Sequence, residues 1–328
     1  MKHVWMALLC GWLATVGAVA QDLFGRAEES VPDEVEAMYV KGLRYLERDL
    51  IGGAGPRDGH GNQPGVIGLA VTAILAHGDD PNTGPYHAAV KRGLDQILSG
   101  ANRANGYLGA SMYNHGFATL ALAESYGAVD DPRLGPALQR AVDLILTSQA
   151  NNPYGAWRYS PESGDADTTV SGAQLVALLA ARNAGIAVPE EAIQKALRFF
   201  MSCAAPEGGF GYTSAAGPNN PRSAIGVLVF ALAKQKDARA YQAALRFLSR
   251  DPYRDDGYPF YFHYYAAQAF FQADPEAWRA WNARMIKLLV NTQNPDGSWD
   301  GNHGRLFSTA TALLTLALNY RFLPIYER

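Results

Sequence analysis

The residues with the clearest potential for chemistry lie between Trp157 and Thr168. Trp157 and Arg158 form an aromatic and basic pair, and Asp165 and Asp167 follow after a turn. Two neighbouring carboxylates can supply a general acid and the group that holds it, if burial raises the pKa of one of them. An aspartate just before an apolar run is equally typical of a helix N-cap. The stretch therefore predicts either an acid site or the start of a helix.

A second set of polar and aromatic side chains precedes two other apolar runs. Tyr113 and His115 stand before one run, and His263 and Tyr264 stand before another. If both runs are inner helices of one barrel, these groups meet at one end of it and form a ligand site over an apolar cavity. The alternative is that they cap helices and pack between repeats. The candidate catalytic residues are Asp167 and Asp165, and the candidate ligand-binding residues are Tyr113, His115, Trp157, Arg158, Thr168, His263 and Tyr264.

Helices must position these residues, because two helical patterns alternate along the chain. One is amphipathic, as at 138–146, and the other is apolar nearly all round, as at 310–318. A unit of about 50 residues with one helix of each kind recurs six times. This predicts an all-α fold, an α6/α6 toroid with a double ring of six helical hairpins, against an open solenoid as the competing layout. The predicted inner helices span 66–77, 115–126, 224–234, 264–272 and 308–320, with a further one from Val170.

The N-terminal residues form a separate segment. Lys2 and His3 precede a mostly apolar stretch, and the small residues of 18–20 match a cleavage pattern, as in an export signal. We expect residues 1–20 to be a signal peptide, 21–31 a short linker, and 32–328 a single toroid domain of six helix-pair repeats. The cleaved chain would be periplasmic or extracellular, and not an integral membrane protein. An uncleaved anchor is the alternative.

Composition argues against several partners and cofactors. A formal net charge of −3 gives no reason to expect nucleic acid or an anionic membrane surface. Cys203 is the only cysteine outside the leader, so the cleaved chain has no internal disulfide. No glycine-rich loop follows a strand pattern, as a phosphate site would require. We expect no metal and no cofactor.

Three loop motifs resemble those of a known superfamily. The sequence NPDGSW at 294–299 resembles the QDGSW-type repeat of squalene and oxidosqualene cyclases. The sequence EGGFG at 207–211 resembles the GGFGG-type loop of protein prenyltransferase β subunits, and DADTTV at 165–170 is similar to the DxDDTA motif of squalene–hopene cyclases. The chain as a whole resembles the short exported bacterial proteins with prenyltransferase/squalene-oxidase repeats. These belong to the α-α toroid superfamily of terpenoid cyclases and protein prenyltransferases.

The resemblance implies a function as well as a fold. It implies an exported, terpenoid-cyclase-like toroid that binds or cyclises an isoprenoid or other lipid in the barrel, as a class II isomerase or lyase if it is an enzyme. Asp167 occupies the place of the motif's acid, whereas Thr168 stands where the motif has its last aspartate. Two alternatives are a non-catalytic scaffold that binds an envelope protein, and a carbohydrate-active enzyme. In the latter, Asp165 or Asp167 would act with a distant carboxylate.

Overall fold

A computed structural model describes residues 31–52 and 57–326. The predicted signal peptide at 1–20 and nearly all of the predicted linker lie outside these residues. The described residues form twelve α-helices and no β-strand, which confirms the all-α prediction. The odd-numbered helices are α1 (Asp33–Gly52), α3 (His87–Ser99), α5 (Leu134–Asn151), α7 (Glu190–Ser202), α9 (Arg239–Arg250) and α11 (Pro275–Thr292). The even-numbered helices are α2 (Pro64–Leu75), α4 (Met112–Ser125), α6 (Thr168–Asn183), α8 (Asn220–Leu232), α10 (Pro259–Ala273) and α12 (Arg305–Leu316).

The even-numbered helices form a closed inner ring. Each packs against the next one in chain order, and α12 packs against α2, so the ring has no free end. Helices α3, α5, α7, α9 and α11 pack outside this ring against their neighbours in the chain. Helix α1 contacts α2 through Tyr39, whose hydroxyl donates to the Ala73 carbonyl at 2.8 Å. Burial follows the same division, since α9 buries only Tyr241, Ala244 and Leu248, whereas α10 is buried along nearly its whole length. The fold is an α6/α6 toroid, and the open solenoid is excluded.

Glycines allow the inner helices to approach closely. A Cβ atom at Gly68 of α2 would lie 2.8 Å from the carbonyl oxygen of Phe117 in α4. A Cβ atom at Gly172 of α6 would overlap the side chain of Ile225 in α8. Because a packed core tolerates added methyl groups poorly, these two positions fix the spacing of the ring.

Several inner helices begin earlier than predicted. Helix α4 begins at Met112 rather than His115, α10 at Pro259 rather than Tyr264, and α12 at Arg305 rather than Ser308. The polar and aromatic residues at these starts resemble a loop in the sequence, but they belong to the first turns of helices. Tyr113, His115, His263 and Tyr264 therefore lie within helices and do not precede them. None of the described helices has the length and apolar character that a membrane span requires.

The C-terminal segment covers one end of the inner ring. Leu323 and Ile325 are buried, and the 3₁₀ turn Pro324–Tyr326 packs against α6. Arg321 lies over the ring of Phe271 near the end of α10, 5.7 Å from its centroid. The carboxyl ends of the inner helices are therefore covered, which leaves the amino ends as the place for a site.

Candidate ligand-binding cavity

A cavity of about 690 Å³ opens at the amino ends of the inner helices, and we call it the mouth cavity. Its volume lies within the range of small-molecule sites, roughly 300–1,000 Å³. All six inner helices or the residues just before them contribute, and none of the described lining residues is an aspartate or glutamate. The chief side chains of the wall are His60, Gln63, Val66, Leu69, Tyr113, Asn114, Phe117, Tyr159, Thr169, Tyr212, Asn219, Arg222, Tyr258, Tyr261, His303 and Phe307.

Aromatic rings form the floor of the mouth cavity. The hydroxyls of Tyr113 and Tyr261 lie 3.5 Å apart, and the ring of Tyr261 stacks edge-on against Tyr265 at 5.0 Å. Burial, and then the charge of Asp167, raises the pKa of Tyr113, so its hydroxyl stays neutral. Tyr264 is buried 4.8 Å from Tyr265 and does not line the cavity, contrary to its prediction as a ligand-binding residue.

Two arginines and two tyrosines form a cluster at one side of the wall. The guanidinium of Arg158 lies 5.3 Å from the ring of Tyr159 and 5.2 Å from that of Tyr212. Arg222 lies 5.1 Å from Tyr212, and the hydroxyls of the two tyrosines are 2.5 Å apart. Cation–π contacts of this kind hold aromatic rings in place. Arg158 itself lies outside the cavity lining, so it positions Tyr159 and Tyr212, which do line it.

Asp167 is the N-cap of α6. Its Oδ1 accepts hydrogen bonds from the Thr169 amide (2.9 Å), the Val170 amide (2.8 Å) and the Thr169 hydroxyl (2.7 Å). Its Oδ2 lies 3.3 Å from Nε of Arg158. Burial raises the pKa of Asp167, while these hydrogen bonds and the charge of Arg158 lower it. Thr169 lines the mouth cavity and Asp167 does not, so the visible role of Asp167 is structural, and its role as an acid stays a prediction.

Asp165 does not form an acid pair with Asp167. Its side chain is 61% exposed, and its Oδ2 accepts a hydrogen bond of 2.7 Å from Arg158. The two aspartates are thus joined through one arginine and share no proton. Asp165 faces solvent, as expected for a surface turn.

Trp157 anchors its loop and lies outside the cavity wall. Its indole N–H donates to the carbonyl of Ile145 in α5 (2.9 Å), and its amide donates to the hydroxyl of Ser171 in α6 (3.1 Å). The ring is 1% exposed, because it fills the space between an outer and an inner helix. Trp157 was predicted as a ligand-binding residue, and the structure assigns it to packing instead. Thr168 is also structural, since its hydroxyl donates to the Gly211 carbonyl at 2.8 Å.

His115 and His263 are buried core histidines. In His115, Nδ1 accepts from the Leu108 amide (3.1 Å) and Nε2 lies 3.0 Å from the Ala141 carbonyl, to which it donates. Burial lowers the pKa of both histidines to about 4, so both are neutral at neutral pH. His263 packs against Trp281, with 6.4 Å between the ring centroids. Neither histidine lines the mouth cavity, so of the predicted ligand-binding residues only Tyr113 does.

Two histidines where the ring closes, His60 and His303, line the mouth cavity, although no sequence pattern predicts them as site residues. The His60 amide donates to the His303 carbonyl (3.0 Å), and the two imidazoles stack 5.6 Å apart in the cavity wall. They belong to the first and last repeats, which are distant in the chain and adjacent in a closed ring. Both histidines lie in the loop just before an inner helix, and that shared position is the sequence signal that places them at the same end of the ring.

Comparisons with known proteins give a family and a fold. A family model described as "Domain of unknown function (DUF6288)" matches residues 59–320. No curated protein matches the chain.

Similar solved structures include enzymes of two classes. The type II terpene cyclase MstE from Scytonema, in complex with its product merosterolic acid A, has a TM-score of 0.59 and 16% identity, over 89% of this chain and 98% of that one. A glycoside hydrolase family 76 mannosidase from Bacteroides thetaiotaomicron has a TM-score of 0.63 and 11% identity, over 87% and 98%. An inactive α-1,6-mannanase of Salegentibacter sp., in complex with α-1,6-mannotetrose, has a TM-score of 0.64 and 12% identity. The match covers 87% of this chain and 98% of that one. At these identities the likeness supports the toroid fold and no particular activity.

Proposed function

This chain belongs to the family described as Domain of unknown function (DUF6288), and we propose that it binds a mainly apolar small molecule of the isoprenoid kind in the mouth cavity. The observation that carries the proposal is the composition of the wall. Tyrosine and phenylalanine rings dominate it, and no described lining residue carries a carboxylate. Aromatic faces bind hydrocarbon well and also favour cationic groups. The isoprenoid ligand of the neighbouring terpene cyclase supports the same class of ligand.

The same wall argues against glycoside hydrolysis. Most glycosidases place two carboxyl groups about 5 to 9.5 Å apart on either side of the scissile bond. Among the described residues, the mouth cavity has neither of them, and Asp167 reaches it only through Thr169. Burial raises the pKa of Asp167 despite its hydrogen bonds, but its Oδ1 is engaged at the start of α6 and its carboxyl does not line the cavity. We therefore propose ligand binding, with no hydrolytic step.

An oligosaccharide is the second candidate ligand. Amide and imidazole side chains at the rim, including Gln63, Asn114 and Asn219, suit the hydroxyl groups of a sugar. Two of the structural neighbours are named as a mannosidase and a mannanase. A scaffold that binds an envelope protein is the remaining alternative. We also propose that the chain is exported, on the basis of its apolar start and the cleavage pattern at 18–20.

The test measures the binding of two probes, geranylgeraniol and α-1,6-mannotetrose, to the protein with the mouth cavity open and with its opening blocked by a substitution. Ala110 is exposed and lines the cavity, so Ala110→Trp places an indole across the opening with little cost to the fold. Ala104→Trp is the matched control, since Ala104 is equally exposed, lies nearby in the same loop, and is not part of the lining. We expect geranylgeraniol to bind the unmodified protein and the Ala104→Trp variant alike, and Ala110→Trp to weaken binding at least about tenfold.

Three outcomes would overturn the proposal. Geranylgeraniol binding that is insensitive to Ala110→Trp would place the ligand elsewhere. Binding of α-1,6-mannotetrose alone, sensitive to Ala110→Trp, would select the oligosaccharide. Failure of both probes would favour the scaffold.

A further inference from the structure

A small recess branches from the mouth cavity between the starts of α10 and α12. Its volume is about 20 Å³. Four of its lining residues also belong to the wall of the mouth cavity, so the two spaces adjoin: Tyr258, Tyr261, His303 and Phe307. The others are Gly257, Pro259, Phe260, Asn302 and Ser308.

Ser308 contributes an unpartnered hydroxyl to this recess. The residue is fully buried, and its Oγ has no hydrogen-bond partner among the described residues. Hydroxyls near the starts of other inner helices are bonded, since Ser171 accepts from the Trp157 amide and Ser223 from the Phe210 amide, each at 3.1 Å. In α12 the bonded hydroxyl is that of Thr309, which leaves Ser308 beside it without a partner among the described residues. A buried hydroxyl without a partner is unfavourable. Ser308 therefore needs an atom that occupies the recess.

The helix ends around the recess differ from those on the opposite side of the ring. Helices α4, α6 and α8 are capped by the side chains of their own N-cap residues, Ser111, Asp167 and Asn219. Helix α10 has Tyr258 at this position, with no side-chain cap. Helix α12 has Gly304, and its first amide, that of Arg305, donates to the carboxylate of Asp58 from the first repeat. Amides of an uncapped first turn attract a hydrogen-bond acceptor. The recess therefore combines a free hydroxyl with one helix start, that of α10, that favours an acceptor.

The size and charge of the recess limit what can enter it. A cavity needs roughly 10–15 Å³ to hold one water, so about 20 Å³ accommodates a single oxygen-sized group and excludes a phosphate or a sugar ring. The carboxylate of Asp58 accepts hydrogen bonds from the Arg305 amide (3.0 and 3.1 Å) at the start of α12. This negative charge disfavours an anion nearby. A neutral hydroxyl or carbonyl oxygen meets both limits.

We propose that the recess binds the terminal oxygen of the ligand in the mouth cavity, through a hydrogen bond with the Ser308 hydroxyl. This rests on the proposed function and narrows it, because the ligand becomes a neutral lipid that ends in a hydroxyl or carbonyl group. The apolar body lies against the aromatic wall, and the oxygen enters between α10 and α12. Free hydrocarbons and phosphate esters are poorer ligands, the first because they leave Ser308 unpaired and the second because they do not fit.

The experiment measures the affinities of three probes for the purified protein: geranylgeraniol, its phosphate ester, and the hydrocarbon with hydrogen in place of the hydroxyl. We expect the alcohol to bind about tenfold more tightly than the other two, and Ser308→Ala to abolish this preference. Gly301→Ala is the second variant, because a methyl group at 301 would overlap the Ser308 hydroxyl and fill the recess. It should remove the preference for the alcohol while the hydrocarbon still binds.

The outcomes separate this inference from the proposed function. Equal binding of alcohol and hydrocarbon, or a preference unchanged in Ser308→Ala, overturns the inference and leaves the mouth cavity as a lipid site. Tightest binding of the phosphate ester also overturns it. Failure of all three probes overturns the proposed function and the inference together.

Discussion

In the third and sixth repeats a tryptophan anchors the loop to the helices by the same two kinds of hydrogen bond, but the starts of the inner helices that follow differ. We call these places the third junction (residues 152–171) and the sixth junction (residues 293–309). In the third, Trp157 donates to an outer-helix carbonyl at 2.9 Å, and its amide donates to an inner-helix hydroxyl at 3.1 Å. In the sixth, Trp299 makes the same two bonds, to Leu289 at 3.0 Å and to Thr309 at 3.1 Å. The anchor is thus a property of the repeat.

The helix starts of the two junctions differ. In the third junction Asp167 caps α6 through Oδ1, and its buried Oδ2 has no hydrogen bond but lies 3.3 Å from Nε of Arg158. In the sixth, Gly304 precedes α12 with φ of 100° and has no side chain to cap it, so the Asp58 carboxylate accepts from the Arg305 amide instead. Each junction therefore keeps one buried oxygen without a hydrogen bond among the described residues. That of Asp167 is held in an ion pair outside the cavity lining, whereas that of Ser308 lines the recess and is free to meet a ligand.

The shared anchor predicts the largest effect on stability. Trp157→Ala and Trp299→Ala each remove a fully buried indole and its hydrogen bond to an outer-helix carbonyl. Each should lower the free energy of unfolding by roughly 3–5 kcal/mol. Chemical denaturation of the two variants checks this. Losses that differ by more than about 2 kcal/mol would show that the junctions are not equivalent.

The loop and inner-helix start of the second repeat (residues 102–115), which we call the second junction, extend the comparison to pH dependence. There the His115 side chain makes both bonds, since it accepts from the Leu108 amide and donates to the Ala141 carbonyl in α5. Burial lowers the pKa of His115 from 6.5 to about 4, so its contribution to stability is complete above pH 6.5 and is lost as the pH falls towards 4. Between pH 6.5 and 5 the loss should be roughly 2 kcal/mol. Denaturation at both pH values should show a smaller acid loss in His115→Gln than in the unmodified protein, and equal losses would contradict the assignment.

Removal of the Asp167 cap at the third junction should have a moderate effect on stability. Asp167→Ala removes three hydrogen bonds at the start of α6 and should cost roughly 1–2 kcal/mol. Asp167→Asn keeps an acceptor oxygen and should cost less. Asp165→Ala is the control, since this exposed residue should change stability by no more than about 0.5 kcal/mol. If Asp165→Ala and Asp167→Ala had equal effects on the unfolding midpoint, the capping role would be wrong.

Substitutions of two serines at inner-helix starts, Ser223 and Ser308, should have the smallest effects on stability, and these effects should differ between the two sites. Ser223→Ala breaks bonds to the Phe210 amide and the Asn219 carbonyl and should cost about 1 kcal/mol or more. Ser308→Ala loses no bond and removes a buried hydroxyl without a partner among the described residues, so the free energy of unfolding should be unchanged or higher. Thermal unfolding of both variants without ligand measures this. A large loss for Ser308→Ala would reveal a partner within the protein.

The ring could be predicted from the sequence, whereas most of the site could not. Alternation of amphipathic and apolar helices determines the toroid, because a helix such as α10 has no polar face to expose to water. The residue type and spacing of Asp165 and Asp167 predict a catalytic pair. Burial and hydrogen bonding decide their role, and a sequence motif shows neither of these properties. His303 cannot be identified from the sequence because its neighbour His60 comes from ring closure. The position of Ser308 near the start of an inner helix is readable from periodicity, but its lack of a hydrogen-bond partner among the described residues is not. Tyr113 was found because its position at an inner-helix start is readable from periodicity.

One structure would test the central claim most directly. Crystals of the protein grown with geranylgeraniol should show the isoprenoid chain against the aromatic wall of the mouth cavity. Its hydroxyl oxygen should lie at about 2.5–3.0 Å from Oγ of Ser308, in the recess of the sixth junction. A ligand outside the mouth cavity, or one whose oxygen contacts Asp167 or Arg158 at the third junction, would contradict the account.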